Sequence, residues 1–429
     1  MTQAADFTLH GDFTHSFRLY SNQAQFFAGD FGYKTHRSAT IADDTTNDSF
    51  ALLKYRLWTE ISSDSGAVKG VYALEVGNIH FGGEKNGGSF SGDGINVETR
   101  WAYTELNTDY GQLRLGLQPV KINKFFWQET ATGIRYRVGA FETAWYRGYE
   151  EISDASASHD LDAFLLRYDL KPAGASKIGL FAVWLTSDGL TDHDIATMNA
   201  AGDTVPAIAG NYLKKMTGYD LDLYTFGVDG GMKSNRLFVN WDLMVQSGKL
   251  AEEKDFGGYF LHLDVGSKFG NSKLTYTFWY ASGDDDSTDR DLDAFIAIDC
   301  DTKASMSSVV LFEGFVEDTY FSAVPYLQDK GLILNRIGYE QSVSDKLRVG
   351  AAALYLMTAE DVEYDQFSDD KIGIELDCFA TYKLFNHLEV AIEAGYLFAA
   401  DAMDYYESDN NARSDTDLYV VNSKIAYKF

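Results

Sequence analysis

What most restricts the fold of this chain is one pattern repeated along its length. Runs of about 10–14 residues alternate apolar and polar side chains, and the connections between them are in turn very short and rather long. In "ADFTLHGDFTHSFRLY", Phe7, Leu9, Phe13, Phe17 and Leu19 fall on one side, and Thr8, His10, Asp12, Thr14, Ser16 and Arg18 on the other. "FVNWDLMVQ" sets Val239, Trp241, Leu243 and Val245 against Asn240, Asp242 and Gln246. "DKIGIELDCFATYKL" sets Ile372, Ile374, Leu376, Ala380, Tyr382 and Leu384 against Lys371, Glu375, Asp377, Thr381 and Lys383. Side chains of a strand point alternately to its two faces, so each run is a strand with one apolar and one polar face.

The connections carry the topology. Short turns are expected near 63–66, 107–110, 171–176, 231–234, 270–271, 343–345 and 385–386, and longer loops near 21–48, 81–94, 120–159, 188–217, 249–257, 284–330, 359–370 and 400–415. This alternation predicts an all-β, antiparallel sheet of about 16 strands with both termini on the short-turn side. An open sheet of that size would leave two unpaired edges, and closure into a transmembrane β-barrel removes them. The apolar faces then meet lipid and the polar faces line a lumen. Residues 1–429 form one domain on this reading.

Composition agrees and removes other classes. Only 4 Pro are present, and all fall at expected strand ends or in loops, as a strand-rich chain requires. No apolar run is long enough for a transmembrane helix. The net charge of −28 argues against nucleic acid as a partner. The residues after Met1, "TQAADF", have neither a charged nor an apolar leader region, so an export signal is expected to be absent from this chain.

The chain ends on "LYVVNSKIAYKF", in which Tyr419, Val421, Ile425, Tyr427 and Phe429 share a face. An aromatic last residue on the apolar face of a strand suits the interface belt of a barrel rim, with the last strand paired to the first. This ending resembles the terminal signal of bacterial outer-membrane proteins, and the resemblance implies that Tyr427 and Phe429 are read by the outer-membrane assembly machinery. By length, strand count, the terminal "AYKF" and a long third loop, the whole chain resembles the trimeric general porins of Gram-negative bacteria. Within them it looks most similar to the homotrimeric porins of sulfate-reducing proteobacteria, although the "PEFGG" string of enteric porins is absent from 120–159.

The resemblance implies a location in the bacterial outer membrane, contact with its lipid and lipopolysaccharide, and a homotrimer joined through Phe7, Leu9, Phe13, Val421 and Ile425. It implies passive diffusion of small hydrophilic solutes and ions through a water-filled channel. It also implies that 120–159 folds inward as a constriction loop carrying Glu129 and Glu142, while 284–330 forms a long extracellular loop. Parity puts Lys54, Arg56, Lys69, Glu75, Glu98, Arg100 and Arg114 on the lumen side. Of these, Lys54, Arg56, Arg100 and Arg114 are expected to form a basic wall facing the loop acids, and the opposed charges would set up a transverse field.

A substrate-specific channel is the alternative function. A sugar channel would show a ladder of lumen aromatics, whereas parity supplies Trp58 and Trp279. An enzyme is not expected, because the chain has neither GxSxG nor HExxH. No cofactor is expected. "GDDDSTDRDLD" at 283–293 is expected to be a solvated extracellular loop, bridged to lipopolysaccharide through divalent ions, in preference to a Ca²⁺ site, because EF-hand spacing and the closing glutamate are missing, and "TDHD" at 191–194 is a weak metal motif. Cys300 is expected in an external loop and Cys378 mid-strand on the lipid-facing side, a pair not expected to form a disulfide.

Overall fold

A computed structural model of the protein describes residues 5–21, 47–82, 88, 90, 97–150, 160–172, 176–189, 219–251, 254–286, 289–300, 308–312, 326–327, 329–364, 367–402 and 417–429. The "TDHD" motif lies outside them. In chain order the strands are β1 (Ala5–Ser21), β2 (Asn47–Ser63), β3 (Val68–His80), β4 (Val97–Thr108), β5 (Gly111–Asn123), β6 (Trp127–Val138), β7 (Phe141–Tyr149), β8 (Leu161–Leu170), β9 (Lys177–Ser187) and β10 (Leu221–Lys233). They continue with β11 (Leu237–Leu250), β12 (Lys254–Phe256), β13 (Tyr259–Phe269), β14 (Ser272–Ala281), β15 (Asp291–Leu292), β16 (Leu332–Ser342), β17 (Leu347–Tyr364), β18 (Phe367–Phe385), β19 (Leu388–Ala399) and β20 (Leu418–Lys428).

Among the described residues eighteen long strands form the wall, each antiparallel to its sequence neighbour, and β20 pairs with β1 to close the barrel. The short β12 and β15 pair with each other in parallel. The alternation of the sequence becomes the inside–outside alternation of the wall. On β1, Phe7, Leu9, Phe17 and Leu19 are exposed outward, while Ser16, Arg18 and Tyr20 are buried inward. On β20, Tyr419, Ile425 and Tyr427 point out, while Leu418, Val420 and Asn422 point in. Exposed apolar side chains on every wall strand make an outer surface suited to hydrocarbon, and closure leaves no strand edge for lipid to solvate.

The count exceeds the expected sixteen by two, and the difference lies entirely in 120–159. Its described residues, 120–150, are strands and tight turns rather than a loop. It holds the end of β5, a tight turn at 124–126, β6, a second turn at 139–140, and β7. Glu129 therefore stands on β6 and Glu142 on β7. The described part of 284–330 also leaves the wall, and it turns into the lumen.

Parity is reset by bulges. On β4 the register slips where Ala73 faces Trp101 and Leu74 faces Thr99, leaving Arg100 as the extra residue. Glu98 faces Glu75 beyond the slip, and Trp101, Tyr103 and Glu105 share the inward face before it.

Candidate functional site: a braced and charged lumen

Two segments reach into the barrel. The first is the tip of the β5–β6 hairpin, whose apolar residues have no place in lipid because they lie on the inner side. Phe125 and Phe126 are fully buried there. The Asn123 side-chain amide donates to Asp242 on β11 at 2.6 Å, and its carbonyl accepts the Phe125 N–H at 2.9 Å. Asp242 also meets the His262 Nδ1 on β13 at 2.6 Å, and His262 Nε2 lies 3.3 Å from Asp264. The Phe125 ring packs against His262, Phe260 and Trp279, with centroids 4.5, 5.0 and 5.2 Å away. Arg167 on β8 donates to the Ile122 carbonyl at 3.1 Å and holds Asp229 on β10 at 2.7 Å. The tip thus crosses from β5 and β6 to strands that are not their neighbours in the wall.

The second segment runs inward after β14. Gln246 on β11 clasps the Ile296 backbone twice, at 2.7 and 2.8 Å. The Ile298 N–H donates to the Phe126 carbonyl at 2.9 Å, and the Gln128 N–H to the Asp299 carbonyl at 2.8 Å, so this segment lies on the hairpin tip. Further on, Glu375 on β18 accepts the N–H groups of Val309 and Val310 at 2.8 and 2.9 Å and the Ser308 hydroxyl at 2.6 Å. Such charge-assisted bonds to backbone are the strong kind, and they pin an irregular segment against the wall. Cys300 lies here, not in an external loop. It is buried, with Sγ 3.1 Å from the Phe125 carbonyl, and neither it nor the exposed Cys378 forms a disulfide.

In the described part of the acidic stretch 283–293, Asp291 and Leu292 pair with Asp255 and Phe256. Among the described residues no group of three or more His, Cys, Asp or Glu gathers to hold a metal ion. Burial pushes the Asp284 carboxyl up from 3.8 to about 6, with Asp329 and Asp289 adding to the rise.

The inward segments pack on β7–β11, β13, β14 and β18, and the inner face of β2–β6 carries a run of opposed charges. Four of the six expected pore residues come together in one network. Lys54 reaches Glu75 at 3.1 Å, Arg56 bonds the same carboxylate, and Arg100 lies 3.8 Å from it while donating to Glu129 at 2.8 Å. Glu129 follows the 124–126 turn by three residues, so the network stands beside the brace. Arg114 belongs to a second tier nearer the short turns, with Glu105 at 2.7 Å and Lys69 3.8 Å from that carboxylate. Glu142 pairs across from Arg137 next to the 139–140 turn, away from both. The expected contrast of a basic wall against loop acids is thus replaced by acids and bases alternating around one wall.

Between the tiers lies an aromatic shelf, of which parity found Trp58 but not its partners. His10 stacks on Trp58 at 5.0 Å, Trp58 meets Trp101 edge-on at 5.8 Å, and Arg114 lies 4.5 Å over Tyr103. The bulge at Arg100 is what turns Trp101 and Tyr103 inward, and simple alternation hides it. Trp279, the other aromatic of inward parity, is buried under Phe125 and Phe312 and lines no open surface.

No protein-family model matches the sequence, and no curated protein matches it. Solved structures do match in fold. OpdL of Pseudomonas aeruginosa is 10% identical and superposes with a TM-score of 0.59 over 99% of both chains. The outer-membrane protein OprD of the same organism is 9% identical with a TM-score of 0.53, covering 99% of this chain and 93% of its own. OpdK, solved with vanillate, is 9% identical with a TM-score of 0.51 over 98% of both chains. At this identity the likeness is one of fold: a closed, antiparallel, eighteen-stranded barrel of the kind seen in Gram-negative outer-membrane channels.

Proposed function

We propose that this protein is an outer-membrane channel of a Gram-negative bacterium that passes small hydrophilic solutes selectively, favouring organic anions that carry a carboxylate. The observation that carries the reading is the Arg56–Glu75–Arg100–Glu129 network beside an inward brace, with the Trp58–Trp101 shelf next to it. A lumen narrowed from one side leaves solutes to pass along this wall. Guanidinium forks match carboxylate geometry, and the aromatic edges offer contact to a ring. The aromatic shelf beside the network favours a selective channel over a general porin, which opposed lumen charges alone would serve.

In this reading Tyr427 and Phe429 serve recognition by the assembly machinery, lipid and lipopolysaccharide contact the outer face, and the exposed Phe7, Leu9 and Ile425 belong to the interface of a homotrimer. Liposome swelling tests the solute. Vanillate, the compound seen with OpdK, should enter faster than a neutral sugar of similar mass, and Arg100→Gln should remove most of the difference. Equal rates for both solutes would return the reading to a general porin, and absence of any conductance in a planar bilayer would end the channel reading.

A further inference from the structure

A cavity of about 320 Å³ opens on the inner face at the short-turn end, on the side of the barrel opposite the arginine network. Four lysines converge on it from four strands: Lys177 of β9, Lys233 of β10, Lys268 of β13 and Lys273 of β14. They occupy inward positions, since Leu237, Phe269 and Leu274 beside them are exposed on the outer, apolar face.

In a chain with 36 basic and 64 acidic side chains, such a gathering calls for a physical reason. Lys268 and Lys273 stand directly opposite each other across β13 and β14, a like-charge pairing that destabilises a sheet. Lys273 has Glu340 at 3.1 Å, and its ammonium sits 5.4 Å over the Phe238 ring. Lys177, Lys233 and Lys268 have no carboxylate within ion-pair distance among the described residues. The floor of the cavity is kept clear by Gly231, where a Cβ would fall 2.7 Å from the Asn240 amide oxygen and 3.5 Å from the Lys177 side chain. Asn240 adds a neutral hydrogen-bonding group to the lining.

We propose that this cavity is a binding station for a small, multiply charged oxyanion at the short-turn mouth of the lumen. Three ammonium groups with no countercharge among the described residues, on flexible stems, suit an anion of charge two or more whose oxygens point in several directions. Such an anion relieves the Lys268–Lys273 repulsion, and chloride, with one charge and no reach, does so poorly. The proposal needs only the lumen, not the solute choice proposed above.

Equilibrium binding on the detergent-solubilised full chain tests it, with pyrophosphate as probe and titration calorimetry as readout. Pyrophosphate should bind one site per chain, at least tenfold tighter than chloride, and the affinity should fall as ionic strength rises. Lys177→Gln with Lys268→Gln should weaken it at least tenfold, while Lys371→Gln, on β18 outside the cavity, should leave it unchanged. A gel shift on boiling confirms that the double variant is folded. Equal affinities for pyrophosphate and chloride, or an unchanged affinity in the folded double variant, would overturn the proposal. In a planar bilayer, pyrophosphate added on the short-turn side should block at lower concentration than on the loop side. Tight binding in detergent without any conductance in the bilayer would count against the channel reading and leave the site standing.

Discussion

Gly11 and Phe429 exchange both backbone hydrogen bonds, at 2.9 and 3.0 Å, and the Phe429 ring lies over the bare Cα of Gly11. The last residue of the chain is thereby stitched to the first strand, within a group of rings that includes Phe13 and Tyr427. A side chain at Gly11 would occupy the space of the ring. Gly11→Leu should therefore cost about 1–3 kcal/mol in barrel stability through overpacking. The folded band on an unheated gel should give way to the unfolded band at lower temperature than in the native protein.

Glu75 holds three cations at once. It is almost fully buried, and Lys54, Arg56 and Arg100 all lie within ion-pair distance. Glu75→Gln leaves those cations short of a countercharge, so stability should fall by about 1–3 kcal/mol and the reversal potential in a salt gradient should move toward anion preference. Replacing Arg100 and Arg114 together with Gln should move it the opposite way, toward cations, because Glu129 loses its arginine and Glu105 keeps only the more distant Lys69. An unchanged reversal potential in both variants would mean that this wall does not line the conducting path.

Asn123 reaches Asp242 on the facing arc of the wall at 2.6 Å. Asn123→Ala removes that bond and the one to the Phe125 N–H, leaving a buried carboxylate with one partner fewer. The expected cost is about 1–3 kcal/mol. The tip should become less firmly held, and single-channel recordings should show larger and noisier conductance than the native protein.

Asp284, outside the wall strands, has its carboxyl raised to about 6 by burial and by neighbouring carboxylates, and its N–H donates to the Asp329 carbonyl at 2.5 Å. A folded-state value above the unfolded one means that the folded arrangement holds the proton more tightly. The resulting stabilisation is full below about 4, declines as pH rises through 6, and is absent above. The inward segment should accordingly be held better in mild acid. Current fluctuations should diminish between pH 7 and pH 5, and Asp284→Asn should abolish that dependence.

The fold class was legible because lipid on one side and water on the other impose period two on every strand, and β1, β11 and β20 obey it nearly residue for residue. The strand count was hidden by one hairpin. Its turn at 124–126 is short where the long-loop series leads one to expect length, and its tip is apolar because it packs against Phe260 and Trp279 rather than lipid. Phe125, Phe126 and Trp127 thus looked like loop residues, and β6 and β7 went with them. Parity found Lys54, Arg56, Arg100 and Arg114, but the bulge at Arg100 turned Trp101 and Tyr103 inward unannounced. A similar register slip between Leu356 and Met357 buries Ile372, which alternation had set outward with Ile374. The tie between Asn123 and Asp242 leaves no local trace at all, since its partners are 119 residues apart.

A hollow cylinder with a thin wall deforms most easily by flattening, and lateral pressure from a crowded membrane acts in that direction. The Asn123–Asp242 contact and the Phe125 packing beside it join two distant arcs of the wall as a chord does. Squeezing the barrel along that chord would press close-packed rings together, and stretching it would strain a buried hydrogen bond. The chord therefore fixes the outline of the passage left beside it, so that its width is set by side chains inside the barrel and not by the tension of the surrounding bilayer.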